Sequence, residues 1–319
     1  MNQNSAKRNR KKMIVMFVLF ILAAALYMTV GVKFENQKLF EYSMKIRTPK
    51  LIAMMITAYA IGSAAIVFQS IINNTIVTPC LLGMDALYTM IHTILVFILG
   101  SGSALVVNAN CSFLIDLVIM GVTATIIYSY LFKKTKHNVL YVLLIGTVLT
   151  SLFSSIQSTM TRIMDPNEYD TLLTTLVASF SNVNSEIMIL SITVLLIVAI
   201  ALRKELYILD VLTLGKEQAI NLGVDYDASI RKLLLGVTLY IAVATAMVGP
   251  LAFLGLSRQL LRTYRHTQLI SGSVLFGMII LIGGQLIVEK IFVYAIPVSV
   301  FITLFGGMYF LYLLLRRRT

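Results

Sequence analysis

Along the chain, long apolar runs alternate with short polar stretches. The runs lie near residues 13–32, 51–72, 80–99, 111–132, 138–160, 186–202, 233–249, 269–288 and 294–315. Each is close to the ~20 residues that an α-helix needs to cross a bilayer core, with 186–202 the shortest. The period-2 alternation of lipid-facing barrel strands is missing, so the pattern predicts an all-α, polytopic membrane protein. Met13–Val32 holds 20 uncharged residues behind "KRNRKK". That is too long for a signal-peptide core, and its small-residue "AAA" lies mid-run, so it reads as a retained span. Residues 1–12 then form a basic tail, and 13–316 a single transmembrane domain with its largest polar interruption at 203–232.

Nine spans would leave the two termini on opposite sides, and the charges argue against that. Basic residues favour the cytoplasmic face. If Lys7, Arg8, Arg10, Lys11 and Lys12 lie inside, so do Lys133, Lys134 and Lys136 and the loop 203–232. A single crossing over 233–257 would then place Arg258, Arg262, Arg265, Arg316, Arg317 and Arg318 outside. The run "VGPLAFLGL" (248–256) carries a Gly-Pro pair that can break a helix and reverse it. A tenth crossing there returns every arginine cluster, and both termini, to the cytoplasm. It is short: Pro250 to Leu256 makes only about 10 Å of helix. Ten spans divide into two fives, which would run in opposite orientations as an inverted repeat. The outer stretches 33–50 and 161–185 read as loops. The first is rich in Lys33, Lys38, Lys45, Arg47 and Lys50, and the second in Asp165, Glu168 and Asp170.

Composition agrees with this picture: of 319 residues, 58% are hydrophobic and 13% charged. A net charge of +12 would suit a nucleic-acid partner, but the basic residues cluster at span ends, which is membrane orientation. No nucleic acid is expected. Cys80 and Cys111 flank one span, which argues against a disulfide and against metal-ligand spacing. The chain has no HExxH and no GxSxG. Gly215-Lys216 is no phosphate-binding loop, because Glu217 follows and Asp210 holds the first glycine position. No cofactor and no ATP hydrolysis are therefore expected of this chain, and its energy must come from a partner or an ion gradient.

Inside the largest loop stands "LTLGKEQAINLGV" (212–224). Residues 216–222 predict two helical turns, with Thr213 or Gly215 near the N-cap and Gly223 as a left-handed stop. Ala219 and Leu222 should share one face at i, i+3 spacing. A short helix tethered between two spans can transmit a push if it docks into a partner; equally, it can rest on the headgroups.

Its pattern, L-x-LG-x-x-x-A-x-x-LGV, resembles the cytoplasmic coupling segment in permeases of the iron-siderophore and cobalamin ABC importers. Three further blocks are similar to that family, in order. "RTPKLIAMMITAYAIGSAAIVFQSIINNTIVTPCLLGMDAL" (47–87) is similar to its RLPR…G…LQ…NPLADPGLLG block. "VGPLAFLGLSRQ" (248–259) is similar to GPIxFxGLxxPHxxR, and "IPVSVFITLFGGMYFLYLLLRRR" (296–318) to its closing LPVG block. The resemblance implies ten helices per subunit and a homo- or heterodimer of permeases. It also implies two ATPase subunits inside and an extracytoplasmic substrate-binding protein. Leu214, Gly215, Ala219, Leu222 and Gly223 would form the ATPase-coupling element. Arg47 and Lys50, which match the basic residues of RLPR, and Lys290, before the final span, would dock the binding protein. Gln69 and Asn73 would line the translocation pathway; the small residues Gly62, Ser63, Ala64 and Ala65 on the same span suit close helix packing.

Two departures stand out. "FLGL" runs straight into "SRQ" without the family's Pro-His, and "GMDALY" (83–88) replaces small residues, a hint of the ferric-siderophore branch. Cobalamin or haem import by the same machinery stays open. So does an ion-coupled transporter, for which Asp85, His92 and Asp116 are the handles, although both acids lie near enough to span ends to reach headgroups.

Overall fold

The protein is described from a computed structural model over residues 3–32, 37–75, 77–134, 139–180, 184–251, 265–293 and 296–316. Among these residues all regular structure is helical. Helix α1 spans Gln3–Thr29 and α2 Gln37–Ile71, and a 3-10 turn at Pro79–Leu82 leads into α3, Met84–Leu99. Then follow α4 (Ala104–Val107), α5 (Ala109–Lys134), α6 (Val139–Ile163), α7 (Pro166–Leu176) and α8 (Ser185–Ala201). The polar interruption holds α9 (Arg203–Tyr207), α10 (Leu209–Leu212) and α11 (Lys216–Asn221). The chain closes with α12 (Tyr226–Val248), α13 (His266–Lys290) and α14 (Val298–Arg316).

All nine expected spans are helices: six are long and apolar enough to cross a membrane, and α3, α8 and α14 supply shorter apolar ones. Helix α12 stops at the Gly-Pro pair, where Gly249 has φ +99°. The tenth crossing falls largely on 252–264, outside the described residues.

Helix α1 already runs from Gln3, through the basic tail. Two expectations need correction. The supposed outer loop 33–50 is helical from Gln37, so that α2 reaches 35 residues, about 52 Å against a core of about 30 Å. Its charges decorate helical turns beyond the apolar run. The second outer loop contains α7, started by Pro166 at its first position and by Asp165, whose carboxylate accepts from Asn167 N–H at 2.9 Å. Asp-Pro is a strong helix start, and it prevails over the polarity of the stretch.

Helix α2 is central: 78% of its apolar stretch is buried, against 6% for α1 at the rim. Helices α12 and α13 pack on it from two sides, with α5 on the outside of α12 and α1 beside α13. Tyr59 meets Tyr240 edge to face at 6.0 Å, and Phe68 meets Phe132 likewise at 6.2 Å. Where α2 crosses α13 the backbones nearly touch. A Cβ on Gly62 would lie 3.1 Å from Val274 N, so any side chain there would press on the α13 backbone.

Candidate functional site

At one end of the bundle, α9–α11 form a folded cap over the starts of α12 and α13. Helix α11 begins after Gly215, at φ +102°, and ends at Asn221, with Leu222 as its C-cap. Gly223 follows with φ +81°; its N–H donates to Ile220 O at 2.9 Å, and Val224 N–H donates to Ala219 O at 3.0 Å. These are the paired bonds of a Schellman stop, at the glycine where the sequence places it.

The faces differ from expectation. Ala219 is fully buried within its own subunit, whereas Leu222 is 62% and Leu214 52% exposed. The i, i+3 relation fails because the helix ends at Asn221 and Leu222 already belongs to the cap. Ile220, not singled out from sequence, is the exposed apolar residue of α11 itself. Three exposed apolar side chains, Leu214, Ile220 and Leu222, thus sit around one buried anchor.

Polar bonds hold this cap. Lys216 Nζ lies 2.7 and 3.0 Å from the two carboxylate oxygens of Asp227, and Lys232 Nζ 2.9 Å from Glu205 Oε1. Asp225 caps α12 by accepting from Ala228 N–H at 3.0 Å. Asp210 reaches α13: its Oδ1 accepts from His266 N–H at 3.3 Å and pairs with the ring Nδ1 of the same, buried residue.

Gln69 and Asn73 lie at this end, beside α10. Gln69 is fully buried inside α2, while Asn73 stands past the helix end at φ +53°. Asn73 N–H donates to Ser70 O at 3.2 Å and Asn74 N–H to Gln69 O at 3.0 Å. Asn73 therefore terminates α2 in a second Schellman turn, and the two amides are not one turn apart on a shared face.

At the opposite end Arg47, Lys50 and Lys290 come together, in three different states. The Arg47 guanidinium donates to Tyr27 O at 2.7 Å and lies 5.8 Å from the centre of the Tyr27 ring. Lys50 is buried, 3.5 Å from Glu289 Oε1, an oxygen that also accepts from Tyr27 Oη–H at 3.1 Å and Gln285 Nε2–H at 2.8 Å. Lys290, last in α13, is exposed. Between the ends, His92 of α3 and Asp116 of α5 form a buried pair at 2.7 Å, with Tyr88 stacked on the imidazole. Asp116 thus faces a partner helix and not the headgroups. Asp85 stands in the first turn of α3, where the helix dipole favours a carboxylate. The Tyr88–His92 spacing is readable in sequence; the pairing across 24 residues is not.

The fold agrees with the comparisons. Residues 11–316 match the model of the FecCD transport family. The petrobactin import system permease protein YclO of Bacillus subtilis is 38% identical over 314 residues, covering 97% of this chain and 98% of that protein. The petrobactin import system permease protein FatC of Bacillus anthracis is 33% identical over 280 residues, covering 86% and 79%. A solved metal-chelate type ABC transporter in an inward-facing conformation superposes with a TM-score of 0.77 at 21% identity, over 96% of this chain and 99% of that one. By length of match, by relatives and by fold, this multi-pass membrane protein belongs to the FecCD transport family.

Proposed function

We infer that the chain is the permease subunit of an ATP-driven importer of ferric siderophores, with cargo of the petrobactin class. The observation that carries this is the near full-length likeness to two petrobactin permeases, 38% and 33% identical. ATP is hydrolysed by separate ATPase subunits, a second permease subunit completes the path, and an external binding protein delivers the cargo. The cap at 203–232 and both termini face the cytoplasm, in keeping with the positive-inside placement of Lys7–Lys12 and Lys133–Lys136. Leu214, Ile220 and Leu222 form the face that meets the ATPase; Gly215 and Gly223 shape it, and Ala219 seats it on the subunit. Lys290 is the foremost docking cation, Arg47 lies at its side, and Lys50 holds the helices beneath them. Gln69 and Asn73 stand where α2 meets the cap, a place that changes shape if the cap moves. ATP turnover shifts the population between outward- and inward-open states through the cap.

The test is uptake into proteoliposomes holding the permease pair, the ATPase and the binding protein. ATP-dependent entry of ferric petrobactin, with cobalamin and haem excluded, is the expected result. Entry driven by a proton gradient without the ATPase would overturn the importer assignment, and entry of cobalamin or haem alone would overturn the cargo.

A further inference from the structure

Beneath the cap lies a cavity of about 710 Å³, whose lining includes Asn73, Gly215 and Lys216. Its volume falls within the range of small-ligand sites. Its walls are the last turn of α2, the last turns of α5, the start of α11 and the first turns of α12. Membrane-crossing helices end here, so the cavity sits at headgroup depth.

The lining is charged, and unequally so. Among the described residues, Lys133, Lys216 and Arg231 line it against a single carboxylate, Asp227. Asp227 is already engaged by Lys216 through both of its oxygens. Lys133 on α5 and Arg231 on α12 remain, and among the described residues neither forms an ion pair. Asn73 and Ser129 add neutral hydrogen-bonding groups to the same wall. Both side chains are exposed, and an anion placed between them would be attracted to each. A guanidinium presents a fork of N–H groups matched to phosphate oxygens, and basic pockets between helices at the cytoplasmic face suit anionic headgroups.

We propose that this cavity binds a phosphate group, bridged between Lys133 and Arg231, borne either by an acidic phospholipid of the adjoining leaflet or by free phosphate. Bound there, the anion ties α5 to α12 directly beside Lys216 at the start of α11, and so stiffens the seat of the cap. The proposal does not depend on which cargo is carried.

The test reconstitutes the full chain in nanodiscs of neutral phosphatidylcholine with a trace of photoreactive phosphatidylglycerol, and maps the labelled peptides by mass spectrometry. Labelling is expected on 129–134 and 226–234. Unlabelled phosphatidylglycerol should compete, and added phosphatidylcholine should not. In the Lys133→Gln/Arg231→Gln double variant labelling should fall about twenty-five-fold, roughly fivefold for each basic side chain. The charge-conserving Lys133→Arg/Arg231→Lys variant should keep most of it. Competition by millimolar inorganic phosphate would assign the site to the free anion; its failure to compete would assign it to the lipid. Labelling competed equally by phosphatidylcholine, or unchanged in a folded double glutamine variant, overturns the proposal. If the glutamine variant does not insert, the competition on the unaltered chain decides alone.

Discussion

Asp210 and His266, 56 residues apart, tie the cap to the first residue of α13. The other end of α13 is held by Glu289, bonded to Lys50 on α2 and to Tyr27 on α1. One helix of 25 residues, about 37 Å long, therefore has both ends fixed, and at Gly62 it lies backbone to backbone against the central helix. Such a helix can carry displacement between the two faces of the bundle.

The first prediction concerns that tie. Asp210→Ala, or His266→Ala, should reduce stimulation of ATPase activity by the binding protein about five- to tenfold, an ordinary coupling energy. The unstimulated rate should change less. The ratio of stimulated to basal hydrolysis in proteoliposomes measures it, and an unaltered ratio would mean that α13 does not transmit.

A second prediction separates the two kinds of residue in α11. Leu222→Asp should leave the subunit folded and abolish assembly with the ATPase, since Leu222 is exposed. Ala219→Asp should instead destabilise the subunit by several kcal/mol, because it buries an unpaired charge. Thermal stability and co-purification of the ATPase distinguish them; equal stability of the two variants would remove the assigned faces.

These residues show how far sequence reaches. The apolar runs and the Gly223 stop are local signals, set by span length and by a backbone angle only glycine adopts freely. Ala219 and Leu222 were not separable, because a helix of two turns is too short for periodicity to define a face. The extension of α2 and the whole of α7 read as loops because charge suggested water, while helix persists in water wherever caps and packing support it. Lys50–Glu289 and His92–Asp116 join distant segments, and nothing local marks their pairing.

Gly223 gives a third prediction. Gly223→Ala should cost about 1–2 kcal/mol, since its φ of +81° forces a Cβ into the left-handed region, and should fray the end of α11. Gly223→Asn should cost less, as Asn73 shows at φ +53° in the same turn type. Hydrogen exchange at Val224 N–H, whose acceptor is Ala219 O, reports the fraying. Equal exchange in the two variants would contradict it.

The fourth prediction contrasts two lysines. Lys50→Met leaves Glu289 buried and deprived of its cation, and should cost about 3–5 kcal/mol, most of which Glu289→Leu should restore in the double variant. Lys290→Glu should leave stability nearly unchanged and slow association with the binding protein, most strongly at low salt. A thermal-unfolding cycle and association rates at two ionic strengths check the pair. Slower docking in Lys50→Met at full stability would place that ammonium in the interface after all.

Acid should weaken the cap. Burial of Glu205 opposes its ionisation, but the Lys232 hydrogen bond, its backbone bond and the charges of Lys232 and Lys204 outweigh it, holding the carboxyl below its ordinary value of 4.5. A folded pKa below the unfolded one means stability that is complete above the unfolded value. That stability is lost as the pH falls through the folded one. Glu205→Gln should therefore be less stable than the unaltered chain at pH 7, with the difference shrinking below about pH 4.5. The effect is modest, since Lys232 is 65% exposed and screened by water. Circular dichroism melts from pH 7 to pH 3.5 provide the measurement, and parallel pH profiles for the two proteins would show that this pair does not hold the cap.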